Sequence, residues 1–281
     1  MAKFKTEKHK KPNPLLNSPS RSSTVSKIKQ KFSFLKWLDP FTYVDLFVIP
    51  QVKKVTDSVV VEFLVNVFFA LLFAWIIYTL LGAIFGTSTP LVIVYSASME
   101  NTFFRGDVMA LGKVSSTDYF GPEIKVNQNI QSVAVNKYLT QSYDPQGNFY
   151  SFTLNGNEFL YKKDASIIVY GAYNPTSSDH GKPIIHRAIA KLVALDGNFV
   201  LTKGDNSLSN KRFDQDCGNI SQGFEKPDEP CITLYAIPLE QIQGKTFFMI
   251  PKVGCVKLWL VDDLFSLVST GKLPSDFKGI C

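Results

Sequence analysis

The stretch Ile184–Asn206, IIHRAIAKLVALDGNFVLTKGDN, decides how the rest of the chain is read. Its first apolar run, 184–195, has a borderline length that a short helix also fits. Gly197-Asn198 follows it like a hairpin turn, and a second apolar run, FVLTKG (199–204), comes next. The spacing therefore predicts strand, turn, strand. The same pattern recurs in LVIVY (91–95), VMALGKV (108–114) and SIIVY (166–170), with Gly, Pro, Asn and Asp between the runs. Residues 87–281 are thus expected to form a mainly β domain. Residues 115–163, rich in Asn, Gln, Tyr and Ser, are expected to be an insertion of weak strands and loops, and 206–230 a long polar loop.

Upstream of this domain the chain changes character. Residues 63–85, FLVNVFFALLFAWIIYTLLGAIF, carry no charge. As a helix they reach about 35 Å, enough for a hydrocarbon core of about 30 Å. A transmembrane helix within 58–86 is expected; the run is too long and starts too late for a cleavable secretory signal. A second apolar run, VKLWLVDDLFSLV (256–268), holds Asp262 and Asp263 at its middle and is too short to span. Residues 1–31 are Lys-, Ser- and Pro-rich and read as disordered. Residues 32–57 crowd aromatic side chains among lysines, as a segment at a membrane surface does.

The net charge of +6 is divided unevenly. Residues 1–57 hold 12 Lys and Arg against four acidic residues, a net of +8, so the remainder is −2. A folded module with a basic face is missing, which disfavours nucleic acid as a partner. Lys and Arg are dense before the apolar run, and the first one after it is Arg105. The N-terminus is therefore expected on the cytoplasmic side, with residues 87–281 outside. The cysteines, Cys217, Cys231, Cys255 and Cys281, form no C-x-x-C pair, so a zinc ribbon is not expected. A Cys217–Cys231 disulfide is one reading and unpaired thiols the other. No metal or cofactor is expected.

Three short stretches carry chemistry. Ser96-Ala97-Ser98-Met99-Glu100-Asn101-Thr102 ends an apolar strand in a turn of small residues, where a serine hydroxyl can be exposed. Met99 reads as packing. His186 lies inside an apolar run, unlike His9 and His180, and a buried imidazole is the usual general base. Lys203-Gly204-Asp205-Asn206 closes the following strand; Asp205 falls 19 residues after His186, and a hairpin sets such positions side by side. A carboxylate on an imidazole fixes its tautomer.

Taken in order, S-M-x-x-T after a membrane helix, then R-G-D, I-I-H-R and K-G-D-N, resemble the type I signal peptidases. His in place of the bacterial Lys makes the chain similar to the archaeal and endoplasmic-reticulum branch. The run Ile242-Gln243-Gly244-Lys245 to Ile250-Pro251-Lys252-Val253-Gly254 resembles that branch too. The resemblance spans about residues 60–260. It implies Ser98 as nucleophile, His186 as base, Asp205 as orienting acid, and Ser96 with the Ser98 N–H as oxyanion donors. A second family Asp matches Asp214 or Asp216. Asn101 stands where the family has Pro, a change expected to alter turn stiffness more than chemistry, and the 115–163 stretch exceeds the family minimum.

The resemblance further implies a serine endopeptidase acting on precursor proteins that carry signal peptides. The substrate is expected to lie extended along a strand edge, with 91–97 the candidate, and to have small residues one and three before the cut. The membrane is expected to be a cell membrane, with the endoplasmic reticulum as the alternative; oligomeric state is left open. Two rivals remain: a non-catalytic membrane-anchored β module for envelope assembly, and a self-cleaving Ser-Lys protease, which lacks its Lys here.

Overall fold

The computed structural model describes residues 39–172, 181–217 and 232–272. A helix runs over Val59–Phe85, 27 residues with no buried side chain. It is the one helix among the described residues long and apolar enough to cross a membrane, at about 40 Å. The chain divides into two compact units within it, after Ile76. Before it come three abutting helical pieces, Pro40–Tyr43, Val44–Val48 (a π-type turn) and Ile49–Val55. Asp39 starts them by accepting the Phe41 N–H at 3.0 Å, with Pro40 in the first turn, where its missing N–H is harmless. Phe41 meets Phe73 edge-on at 5.8 Å. The expected surface segment is thus helical from residue 40, and its start at 32–38 lies outside the described residues.

The remainder is mainly β, as the alternation of short apolar runs and turn residues anticipated. The strands are β1 (Leu91–Ile93), β2 (Val108–Gly112), β3 (Glu123–Val126), β4 (Thr140–Tyr143), β5 (Phe149–Leu154), β6 (Asn157–Leu160), β7 (Ile167–Gly171), β8 (Pro183–Ala194), β9 (Gly197–Lys203), β10 (Ile237–Pro238) and β11 (Ile242–Ile250). Eight form one sheet in the order β1-β2-β11-β7-β8-β9-β10, with β3 parallel to the end of β8. β4, β5 and β6 form a separate antiparallel sheet. Residues 115–163 therefore contribute one strand to the main sheet and a small sheet of their own.

The β8–β9 hairpin forms, but its turn is Leu195-Asp196, not Gly197-Asn198. Ala194 pairs with Gly197, so Gly197 already belongs to β9. Its φ of +146° carries the chain out of the turn. The Asp196 carboxylate accepts the N–H groups of Ile130 and Gln131 at 2.8–3.1 Å, which holds the turn against the 130–131 backbone. β8 is long enough to serve two neighbours along one edge: 183–187 pair with β7 and 191–194 with β3. A bulge between Ala188 and Ala190 separates the two halves on the β9 side.

Two of the apolar clusters among the described residues bear most on the site. Ile124, Phe149, Phe152, Leu154, Leu192, Phe199, Leu201 and Phe213 join the small sheet to β8 and β9. Val94, Met99, Phe103, Met109, Leu111, Ile167 and Val169 form a second cluster under the turn after β1, with Met99 only 1% exposed. The helical stretch after β11, Cys255–Lys257, Leu258–Asp263 and Leu264–Thr270, does not reach spanning length. Cys217 and Cys255 are each disulfide-bonded, against the reading of unpaired thiols; Cys231, which the other reading pairs with Cys217, lies outside the described residues.

Candidate active site

His186 occupies β8, one of the inner strands, opposite Ile168 of β7. It is 2% exposed. Side chains of one strand face share a two-residue period, so His186 shares its face with Tyr170 of β7 and Thr202 of β9. A polar chain runs through these positions. Thr202 Oγ1 donates to Tyr170 Oη at 3.1 Å, and Tyr170 Oη donates to Asp214 Oδ2 at 2.8 Å. Asp214 Oδ2 also meets His186 Nδ1 at 2.7 Å.

Asp214 is fully enclosed, and burial acts to raise its pKa. The neighbouring His186, with the Thr202 and Tyr170 hydroxyls, outweighs that effect and holds the carboxyl below its ordinary value. Tyr170 moves the opposite way: burial first, then the Asp214 charge, push its phenol well above 10, so it stays a donor. An ionised Asp214 accepts only, so the Nδ1 proton of His186 points at it and the Nε2 lone pair is left for another group. Among the described residues Nε2 makes no hydrogen bond.

Asp205 does not sit beside His186. The strand count that suggested it ignored parity. Arg187 is opposite Lys203, and two residues further along the same face lies Asp205; His186 points the other way. The Asp205 carboxylate takes Arg187 Nε and Nη2 at 2.9 and 2.7 Å, and Thr102 Oγ1 at 2.6 Å. Burial raises its pKa, but these donors and Lys163 prevail and lower it. Of the two alternatives for a second acid, Asp214 is the one at His186. Asp216 instead receives Gln141 Nε2 at 2.8 Å and the Tyr143 hydroxyl.

Ser98 lies in a turn that leaves β1 and is half-buried. The Glu100 N–H reaches Ala97 O at 3.0 Å and the Phe103 N–H reaches Met99 O at 2.8 Å. The Gly204-Asp205-Asn206 segment grips this turn from the far side. Asn206 N donates to Ser98 O at 3.0 Å and Asn206 Nδ2 to Ala97 O at 2.9 Å. Gly204 lies so close that a Cβ there would meet Ser98 O at 2.7 Å. The Ser98 and Ser96 hydroxyls are 3.1 Å apart. No hydrogen bond joins Ser98 to His186, and the Ser98 N–H donates to no group among the described residues.

Asn101 has φ +77°. Asn tolerates this left-handed conformation, but proline, fixed near −65°, does not. The difference from the family pattern at this position is therefore one of backbone shape, beyond the stiffness expected from sequence.

Ser96, Ser98 and His186 line one cavity of about 370 Å³. One wall is Val92–Ser96 with Met99; the other is Pro183–Ile185. The sequence reading gave no role to Tyr170, Thr202, Arg187 or Thr102, although Arg187 and Thr102 stand in its motifs. The alternation within β7, β8 and β9 was the available signal for the first three. Among the described residues no group of His, Cys, Asp and Glu is arranged to hold a metal.

No protein-family model matches the chain. The chain is 24% identical over 198 residues to the signal peptidase complex catalytic subunit SEC11 of Plasmodium falciparum (isolate 3D7), covering 70% of this chain and 72% of the relative. That similarity relates the chain to the endoplasmic-reticulum-type signal peptidases, as the order of its motifs anticipated.

Proposed function

We propose that this relative of the signal peptidases is a membrane-bound serine endopeptidase that removes signal peptides from precursor proteins. The observation that carries the reading is a buried His186–Asp214 pair at the same cavity as the Ser98 hydroxyl. A serine hydroxyl becomes a nucleophile when a base takes its proton. His186 Nε2 is that base, and Asp214 holds the imidazole in the tautomer that leaves Nε2 unprotonated. Ser98 attacks the substrate carbonyl, its proton passing to His186. The carbonyl oxygen, now anionic, is received by the Ser98 N–H and the Ser96 hydroxyl. His186 returns the proton to the leaving amine, and water then hydrolyses the ester. In apo enzymes the nucleophile–base hydrogen bond is often open until substrate arrives.

Asp205 acts one step away: with Arg187 and Thr102 it fixes the turn that carries Ser98. The substrate lies extended between 92–96 and 183–186. Among the described residues β1 pairs with β2 alone, which leaves its outer edge for a further strand. The apolar lining beside Ser98 favours uncharged side chains next to the cut, and the resemblance adds that they are small.

The proposed arrangement has a cytoplasmic basic tail (1–57), a membrane helix (58–86) and an extracytoplasmic domain (87–281) with the 115–163 insertion. The similarity to the Plasmodium protein favours the endoplasmic reticulum membrane over a cell membrane. The test is cleavage of a secretory precursor by detergent-solubilised chain. The parent is expected to cut after a small residue, and Ser98→Ala and His186→Ala to lose nearly all of it. Undiminished cleavage by Ser98→Ala, or none by the parent on several precursors, overturns the reading and leaves the anchored, non-catalytic β module.

A further inference from the structure

The carboxylate at His186 does not come from a strand. Asp214 lies in the irregular segment 211–217. Among the described residues its buried Oδ1 has no hydrogen-bond partner, and the contacts that anchor its side chain to His186 and Tyr170 run through Oδ2. The aim of that oxygen then depends on where the backbone of 211–217 is held. One side is fixed to β9: Asp214 N donates to Thr202 O at 2.9 Å, and Gln215 Oε1 accepts Thr202 N at 3.1 Å. The other side is fixed by the small sheet. Phe149 N donates to Lys211 O at 2.7 Å, and the Phe149 ring packs on Phe213 at 5.1 Å. Gln141 and Tyr143 of β4 both bond Asp216, which is 8% exposed. Two residues of one edge strand thus converge on one buried carboxylate, two positions from Asp214.

We propose that the β4–β6 sheet is the positioning element for Asp214, with Gln141 and Tyr143 acting through Asp216 to keep the 211–217 segment seated against His186. This gives the insertion a role in the reaction rather than at the periphery. It rests on the proposed function only in giving Asp214 a part in that reaction; the contact itself exists whatever the chain cleaves.

The test uses the full chain in detergent with ¹⁵N-labelled histidine. The sequence holds three histidines, so His186 is assigned by comparison with His186→Gln. In the parent, His186 is expected as the Nδ1–H tautomer with a slowly exchanging proton. In Gln141→Leu/Tyr143→Phe, which keeps the Tyr143 ring, the tautomers are expected to mix and exchange to quicken about tenfold, the effect of losing hydrogen bonds to a charged group. On a precursor, kcat is expected to fall about tenfold with KM within about twofold. In an Asp214→Ala background the same pair of substitutions should change kcat less than about twofold, because the clamp then has nothing to aim. An unchanged tautomer and exchange rate, or the full kcat loss repeated without Asp214, overturns the proposal. Should the double variant melt below assay temperature, Tyr143→Phe alone carries the same comparison. A parent that cleaves nothing removes the proposed function, and the histidine spectra then decide the positioning role alone.

Discussion

Asp205 and Asp214 are both buried carboxylates, and the structure separates them sharply enough for one experiment to tell their roles apart. Asp205 is 1% exposed and bonds Arg187 through two nitrogens. Asp205→Ala leaves the Arg187 guanidinium, whose side chain is 13% exposed, without its counter-charge. Breaking one partner of such a pair costs about 3–5 kcal/mol. For a domain of this size each kcal/mol shifts the melting temperature by roughly 2–4 °C, so a drop of about 6–20 °C is expected. Removing both charges in Asp205→Ala/Arg187→Met relieves the uncompensated guanidinium and should recover more than half of the drop. Thermal melts of the detergent-solubilised variants give the first number. Cleavage measured below all of the melting temperatures gives the second. The double variant should cut within about tenfold of the parent, while Asp214→Ala, which removes the acid proposed to orient His186, should lose about 10³–10⁴-fold. A double variant as stable as the parent yet as inactive as Asp214→Ala would refute the assignment and return Asp205 to His186.

The same geometry sets three further outcomes. Asn101→Pro should destabilise the chain by more than about 1 kcal/mol, because the native φ is +77°, while Asn101→Gly should leave the melting temperature unchanged or slightly higher; equal melts for Pro and Gly would contradict the turn. Gly204→Ala forces a Cβ to within 2.7 Å of Ser98 O, so kcat should fall roughly ten- to hundredfold with little change in KM, and a wild-type rate would mean that the two segments are not in contact. Asp205 and Asp214 both have lowered pKa values in the fold. The unfolded chain, with carboxyls near 3.9, therefore binds more protons in acid. Their contribution to stability is complete above about pH 5 and is lost as pH falls through about 4 and then through the lowered folded values. Denaturant midpoints should decline over that window, and less steeply in Asp205→Asn. A flat profile would oppose the charge state assigned to both.

The main sheet could be read from the chain because its strands announce themselves by composition. β2, β7, β8 and β9 are apolar runs ended by Gly, Asp or Lys, and all four form where the runs lie. The insertion was harder to read. In β5 the residues Phe149, Phe152 and Leu154 are buried, but they lie among Asn, Gln, Ser and Tyr, and their partners come from β8, β9 and residue 213. Only tertiary packing makes that sheet. His186 was legible because an ionisable side chain in an apolar strand is unusual. Its acid was misread because sequence distance measures reach along a hairpin and not which face a residue points to. Arg187 faces Asp205 and His186 faces away, a one-residue difference that reverses the partnership. Asp214 comes from a segment with no periodicity, so the residues alone could not place it; the resemblance offered it beside Asp216, and the fold sets Asp214 at the imidazole.

The central claim is that Ser98 is acylated by its substrate. The most direct test offers the solubilised chain an activated aryl ester of a short signal-peptide fragment ending in a small residue, quenches with acid during turnover, and maps the peptides by mass. An ester forms faster from such a substrate than from an amide, which lets the acyl-enzyme accumulate. The account predicts that the peptide containing Ser98 gains the mass of the acyl fragment, and that Ser98→Ala neither gains it nor releases the aryl alcohol above background. Hydrolysis of the ester by Ser98→Ala at the parent rate, or an adduct mapped to another residue, would contradict it.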